Sequence, residues 1–147
     1  MEKAWQYAEE SSRLFGNAKY GYVPGSISST LEYAYTEWCM AELAKALGKT
    51  SGEQHYRKLA KSYQHIYDAV HRSFRPKDEK GNFLPWPEKG RLTEGYGSVE
   101  SNPFQQGWFV PHDIEGLAQL MGGREKTIEE LDYMFANTPT DFLWNQF

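Results

Sequence analysis

Residues 26–71, SISSTLEYAYTEWCMAELAKALGKTSGEQHYRKLAKSYQHIYDAVH, carry the reading on which the fold turns. Ser29 stands three residues before Glu32, the spacing of a capping box, and predicts a helix over 30–47 that stops at Gly48. Ser51 and Gln54 repeat the box and predict a helix over 52–71. The two helices differ in pattern. In the later one Tyr56, Leu59, Ala60, Tyr63, Ile66, Tyr67 and Val70 recur at helical spacing as one apolar stripe, so its other face meets water. In the earlier one Leu31, Tyr33, Ala34, Tyr35, Trp38, Cys39, Met40, Leu43 and Leu47 cover most of the circumference, which predicts burial nearly all round. Cys39 reads as a small buried hydrophobe in that set. Glu32 and Glu37 on the same helix are costly to bury unless paired, so they either face a central cavity or are tied to arginines.

Working outward, residues 2–14 read as a first helix ending near Gly16, and 21–28 (GYVPGSIS) as a loop. Residues 72–101 form a long irregular segment punctuated by Pro and Gly, whose aromatics Phe74, Phe83, Trp86 and Tyr96 argue for ordered packing. The pattern then repeats with an apolar helical region over 103–121, a break at Gly122-Gly123, and a short amphipathic helix. That helix has Thr127 and Glu130 as its box and Ile128, Leu131 and Phe135 as its stripe. Buried helix, exposed helix, long loop, buried helix, exposed helix is the rhythm of an all-α, α/α toroid in one helical domain over 1–147. Helical repeat proteins alternate similarly, but no fixed-period repeat is visible.

The length of 147 residues suffices for one domain with a real core. A net charge of −4 without a basic cluster disfavours nucleic acid and anionic membranes as partners, and no apolar stretch is long enough to span a bilayer. One cysteine excludes an internal disulfide. Aromatics at 16% fit either a heavily packed core or a carbohydrate surface, with core the default.

The chemistry concentrates in residues 99–113, VESNPFQQGWFVPHD. Glu100, Asn102, Gln105, Trp108, His112 and Asp113 are what a sugar-cleaving pocket uses: carboxylates to handle protons, amides to read hydroxyls, a flat ring against a sugar face.

Two long stretches give these observations a family. Residues 26–49 resemble the SVSKTLEYAYDDWCIAQLAKALGK segment of glycoside hydrolase family 92, and 100–123, ESNPFQQGWFVPHDIEGLAQLMGG, resemble its EGNAWQYSWFVPHDVEGLINLMGG segment. GYVP at 21–24 and the Phe74-Arg75-Pro76 run fall in the expected order. The family comprises calcium-dependent, inverting exo-α-mannosidases that pair a β-sandwich with an (α/α)6 barrel. The resemblance implies that Glu100 is the general acid, that Ca²⁺ engages the terminal mannose, and that a mannose-containing glycan is the partner. It also implies that the general base is an aspartate in a later motif absent from this chain. Glu94, in Thr93-Glu94-Gly95, mimics the local motif, but only Glu100 keeps the register to Trp108–Asp113. The chain departs from the motif at Ser101, Pro103, Phe104 and Gln106, which puts the leaving-group preference in question.

Inversion needs two carboxyl groups roughly 6.5–9.5 Å apart. A protonated Glu100 calls for a water-poor setting, for which Phe104, Trp108 and Phe109 are the nearby candidates. Asn102 and Gln105 offer oxygens suited to Ca²⁺, or else a helix cap and a buried hydrogen bond. Asp113 reads as an N-cap; His112 reads as fixing the loop, with a sugar contact as the alternative. Trp86 reads as loop packing rather than a sugar platform. The chain opens inside a helical pattern and stops at Trp144-Asn145-Gln146-Phe147 without a cap, so it reads as the first part of a barrel. Two functions compete: the acid-bearing part of an α-mannosidase, and a catalytically incompetent helical domain with a structural or carbohydrate-binding role. Uncovered inner-helix surface predicts self-association. The compartment is not written in these residues; the resemblance implies a secreted or periplasmic protein.

Overall fold

The computed structural model describes residues 2–15, 17 and 19–138; Gly16 and the 144–147 end therefore lie outside the described residues. Among the described residues the fold is all-α apart from one small hairpin. Its helices are α1 (Glu2–Phe15), α2 (Ile27–Ala46), α3 (Thr50–Leu59), α4 (Pro103–Gln106), α5 (Ile114–Leu120) and α6 (Arg124–Asn137). The strands β1 (Tyr67–Asp68) and β2 (Ser73–Phe74) pair antiparallel, Tyr67 opposite Phe74.

α2 begins three residues before the capping spacing predicts. Ser26 is the cap, its hydroxyl accepting from the Ser29 N–H at 3.0 Å. The Gly97 carbonyl takes the free N–H groups of Ile27 and Ser28 at 2.6 and 3.1 Å, so a distant loop fixes where the helix starts. Gly97 has φ +72°, and a Cβ there would lie 3.0 Å from Pro76 and 3.2 Å from Ile27, so the approach requires glycine.

α2 is the axis of both cores. Ile27, Leu31 and Ala34 pack with Tyr63, Ile66 and Phe74; Met40, Ala41 and Ala44 pack with Trp5 and Tyr56. The expected burial all round does not hold. α1 and α3 pack along one side, while on the other Tyr35 is 37% exposed and Cys39 is exposed rather than in the core. Glu32 is exposed, and Glu37, 1% exposed, is tied not to an arginine but to Asn17, whose backbone N–H donates at 3.1 Å and whose side-chain amide donates at 3.4 Å. Burial pushes the Glu37 carboxyl up to about 7 against the pull of those hydrogen bonds.

α3 ends at Leu59 instead of running to residue 71. The Ala60 carbonyl, which the next turn would use, faces His112 Nε2 at 2.8 Å. The chain tightens into a 3₁₀ turn at Ser62–Ile66 and then enters the hairpin, leaving Val70, expected in the stripe, 86% exposed. The 72–101 segment is ordered, as its aromatics predict. Buried Arg75 pairs with Asp68, donates to the Leu84 carbonyl, and lies against Phe83 and Trp86; Trp86 stacks on His71 with ring centres 4.1 Å apart, which is loop packing. The Arg75 guanidinium and hydrogen bonds from His71 and Val70 hold the Asp68 carboxyl down at about 2, against the opposing and largest effect of desolvation.

The helical region expected over 103–121 splits into α4 and α5, because residues 107–113 turn around Pro111 to put Val110, 1% exposed, into the core. α6 starts at Arg124, not at a Thr127 cap: Gly122 and Gly123 take φ of +97° and +109°, and Gly123 is the cap residue. Among the described residues no helix is long and apolar enough to cross a membrane.

Candidate active site

Glu100 stands out by its backbone. It and Arg72 are the non-glycine residues with positive φ among the described residues, at +52° and +50°. Arg72 turns the β1–β2 hairpin. Glu100 closes no strand pair, and a left-handed glutamate costs on the order of 1 kcal/mol and persists only where its surroundings impose it. They do so on both sides. The Val99 N–H donates to Ser28 Oγ at 2.9 Å, the hydroxyls of Ser28 and Ser101 donate to Gln106 Oε1 at 3.2 and 3.1 Å, and the Gly95 N–H donates to the Ser101 carbonyl at 3.1 Å.

The Glu100 side chain is exposed, so the expected water-poor setting is not what surrounds it. The three aromatics are used elsewhere. Phe104, 6% exposed, lies under the Arg91 guanidinium at 4.2 Å and against Tyr133; Trp108 packs against the core around Phe74; Phe109, 39% exposed, meets Tyr35 edge-on. Glu94 is exposed as well.

Asn102 is fully buried and caps α4, its Oδ1 accepting from the Phe104 and Gln105 N–H groups at 3.0 and 3.1 Å; Pro103 follows at the first helical position. Its amide donates to Gln105 Oε1 at 3.4 Å. The capping alternative is therefore realised, and of the two side chains only the Gln105 oxygen, beside the backbone carbonyls, is left to an incoming cation. A hard cation such as Ca²⁺ takes about six to eight oxygens. Among the described residues no three His, Cys, Asp or Glu side chains stand together as a metal site, so these residues alone do not fit the ion.

Asp113 caps α5, Oδ1 accepting from the Gly116 N–H at 3.1 Å, while Oδ2 accepts from the Tyr63 hydroxyl at 2.6 Å. A Cβ at residue 116 would fall 2.3 Å from that hydroxyl, which is why glycine sits there. Burial, reinforced by the Asp113 carboxylate, pushes the Tyr63 hydroxyl pKa up. His112 donates from Nε2 to the Ala60 carbonyl and leaves buried Nδ1 without a partner among the described residues; burial lowers its pKa. Its ring borders those of Tyr35, Trp38 and Tyr63. The loop-fixing role read for His112 is thus present, and Nδ1 remains an available acceptor.

The structure brings Glu100, Asn102 and Gln105 together at the start of α4 and places His112 and Asp113 at the start of α5. Sequence reasoning missed Ser28 and Gln106, whose bond joins residues far apart in the chain and leaves no local spacing to find.

A sequence model of the glycosyl hydrolase family 92 catalytic domain matches residues 2–146. A protein from the fungus Arthroderma benhamiae, described as an uncharacterized secreted glycosidase, is 31% identical over 136 residues, covering 78% of this chain and 17% of that protein. Among solved structures, the family GH92 inverting mannosidase from Bacteroides thetaiotaomicron superposes with a TM-score of 0.76 at 37% identity, over 80% of this chain and 16% of its own. A family GH92 α-mannosidase from the same organism gives 0.79 at 30% identity, over 91% and 19%. Its complex with mannoimidazole gives 0.76 at 30% identity, over 95% and 21%. The chain thus spans about a fifth of the length of these relatives.

Proposed function

Because the chain belongs to glycosyl hydrolase family 92, we propose that it carries the acid-bearing part of an exo-acting α-mannosidase that releases terminal mannose with inversion. In this reading α2 with α3 and α5 with α6 are two inner–outer pairs of an (α/α)6 barrel, and the 72–101 loop and the 99–113 segment build the end that meets substrate. Glu100 gives its carboxyl proton to the departing glycosidic oxygen. An aspartate beyond this chain takes the proton of the attacking water, and the water must approach from the face opposite the leaving group.

The observation that carries the reading is Glu100 itself: exposed, held at φ +52°, and anchored through Val99 and Ser101 to Ser28 and Gln106. A strained, externally imposed backbone at a carboxylate that occupies the acid's place in the motif suits a group presented to a substrate. Bound glycan covering the carboxyl supplies the drier setting that the exposed side chain lacks. Asn102, occupied as a cap, does not hold calcium in this reading. Mannose-containing glycans are the substrate class, and a secreted location follows the description of the fungal relative.

The test is release of mannose from α-mannobiose, with calcium and with chelator, by the whole enzyme of which this reading makes the chain a part, as wild type and as Glu100→Gln. Turnover that falls at least about 100-fold in the variant, with β-mannose as the first anomer seen by NMR, supports the reading. Full activity in Glu100→Gln overturns it. Binding of mannobiose without turnover in the wild type would instead favour a carbohydrate-binding helical domain.

A further inference from the structure

We propose that Gln106 is a positioning residue for Glu100, holding the backbone of the acid through a hydroxyl bracket made with Ser28 and Ser101. This rests on the reading of Glu100 as the acid. One amide oxygen, Gln106 Oε1, accepts from Ser28 Oγ at 3.2 Å and from Ser101 Oγ at 3.1 Å. Ser28 Oγ in turn accepts from the Val99 N–H at 2.9 Å. The residue after Glu100 is therefore tied to that oxygen directly, and the residue before it through Ser28.

Both ends of the bracket are rigid. Ser28 is 3% exposed in the first turn of α2, where the Gly97 carbonyl holds its N–H. Gln106 closes α4, whose first turn is capped by buried Asn102 and started by Pro103. Between them Glu100 is exposed, and no hydrogen bond to its carboxylate is present among the described residues. Its direction is then set by its backbone, and a left-handed φ of +52° is a state that a glutamate leaves when the flanking ties are cut. Ser101 and Gln106 are also two of the positions where the chain departs from the family motif it resembles, and the two departures are bonded to each other. Removing the Gln106 oxygen leaves the Ser101 hydroxyl without its acceptor, and removing that hydroxyl leaves the oxygen with Ser28 alone, so their effects must be coupled.

The experiment compares the wild-type chain with Gln106→Leu, which removes the acceptor, and Gln106→Glu, which keeps it. By NMR, Gln106→Leu speeds exchange of the Val99 amide at least about 10-fold and moves the Glu100 HN–Hα coupling from its wild-type value. Protection of the Leu31 amide in the core stays unchanged, and Gln106→Glu restores both local signals. An unchanged Glu100 coupling in Gln106→Leu overturns the proposal, and so does loss of Leu31 protection together with it, since Gln106 would then be a general support. Hydrolysis by the whole enzyme, which in that reading supplies the base aspartate, separates this proposal from the reading beneath it. On an alkyl α-mannoside, whose leaving group needs a proton, Gln106→Leu lowers kcat about 100-fold with KM little changed; on a dinitrophenyl α-mannoside, whose leaving group needs none, the loss stays within about 3-fold. Equal losses on the two substrates overturn the positioning role. A Glu100→Gln variant that keeps its rate on the alkyl substrate overturns the assignment of the acid instead.

Discussion

The α2–α3 pair and the α5–α6 pair follow one sequence rhythm and are closed by different forces. α2 buries nine of its residues and links both cores, whereas α5 buries Leu117 and α6 buries none. What fastens α6 is mainly polar: Glu130 accepts from Arg72 at 3.1 Å and from Arg91 at 2.7 Å, and the Arg91 guanidinium lies over the Phe104 ring, which Tyr133 of α6 meets edge-on. The alternation of apolar and polar residues places a helix, but the area it hides decides how firmly it is held. The candidate acid lies between the two regimes, anchored to the firm pair through Ser28 and adjoining the looser pair through Phe104.

The largest effect should come from the shared core. Phe74 is 1% exposed between Tyr63 and Tyr67, and Phe74→Ala should cost about 4 kcal/mol in a denaturant melt through lost burial and the cavity left behind. An equal cost for Phe135→Ala on α6 would break the comparison.

A second effect, of about 3 kcal/mol, is specific to the firm pair and depends on pH. The Glu37 carboxyl is raised from 4.5 to about 7, so between those values the folded chain keeps a proton that the unfolded chain releases. The stability from this group is full at low pH and is lost as pH rises through about 7, in all roughly 3 kcal/mol. Glu37→Gln should flatten that fall with rising pH and leave the variant more stable than the wild type near pH 8. Asp68 acts with the opposite sign: its depressed carboxyl stabilises above the ordinary value of 3.8, and that contribution is lost as pH falls from there to about 2. A Glu37→Gln melt with the wild-type pH profile between about 5 and 8 would show that Asn17 holds a carboxylate, not an acid, against α2.

A third effect, of about 1 kcal/mol, probes the polar fastening. Glu130→Gln keeps the shape and weakens two partly exposed ion pairs, so the cost should be about 1 kcal/mol and should shrink with added salt. A salt-independent loss as large as that of Phe74→Ala would mean that α6 is part of the core after all.

This contrast also marks what the sequence could disclose. The existence of the helices, the ordered loop, the Gly122-Gly123 break and the Asp113 cap follow from local patterns, and the structure has each of them. The boundaries that moved were set by partners far along the chain. Gly97 starts α2, His112 faces the carbonyl that α3 would need for another turn, and the drop of Val110 into the core divides α4 from α5. Likewise the motif register singles out Glu100 as the candidate acid, while Ser28 and Gln106, bonded to the residues on either side of it, leave no periodic trace, because a serine hydroxyl reaching a distant glutamine follows no local spacing. Burial all round α2 failed for a related reason: composition shows how much apolar surface a helix has, not which neighbours are there to cover it.

The smallest effect on stability tests that last point. Ile128 is 49% exposed and Phe135 76% exposed, although both lie on the stripe read as core-facing, and Tyr35 and Phe109 are similarly open near the start of α5. Truncating an exposed side chain removes little burial, so Phe135→Ser should move the melt by less than about 0.5 kcal/mol. The same open surface should make the chain associate with itself as concentration rises, because apolar area hidden from water between copies is favourable wherever it is found. Sedimentation velocity across a concentration series should therefore show larger species for the wild type, and fewer for Ile128→Ser combined with Phe135→Ser at nearly the same melting temperature. A wild type that stays monomeric throughout would mean that the open stripe is tolerated as ordinary surface. A double variant that unfolds would mean that α6 is held by its apolar face and not by Glu130, which would erase the difference between the two pairs.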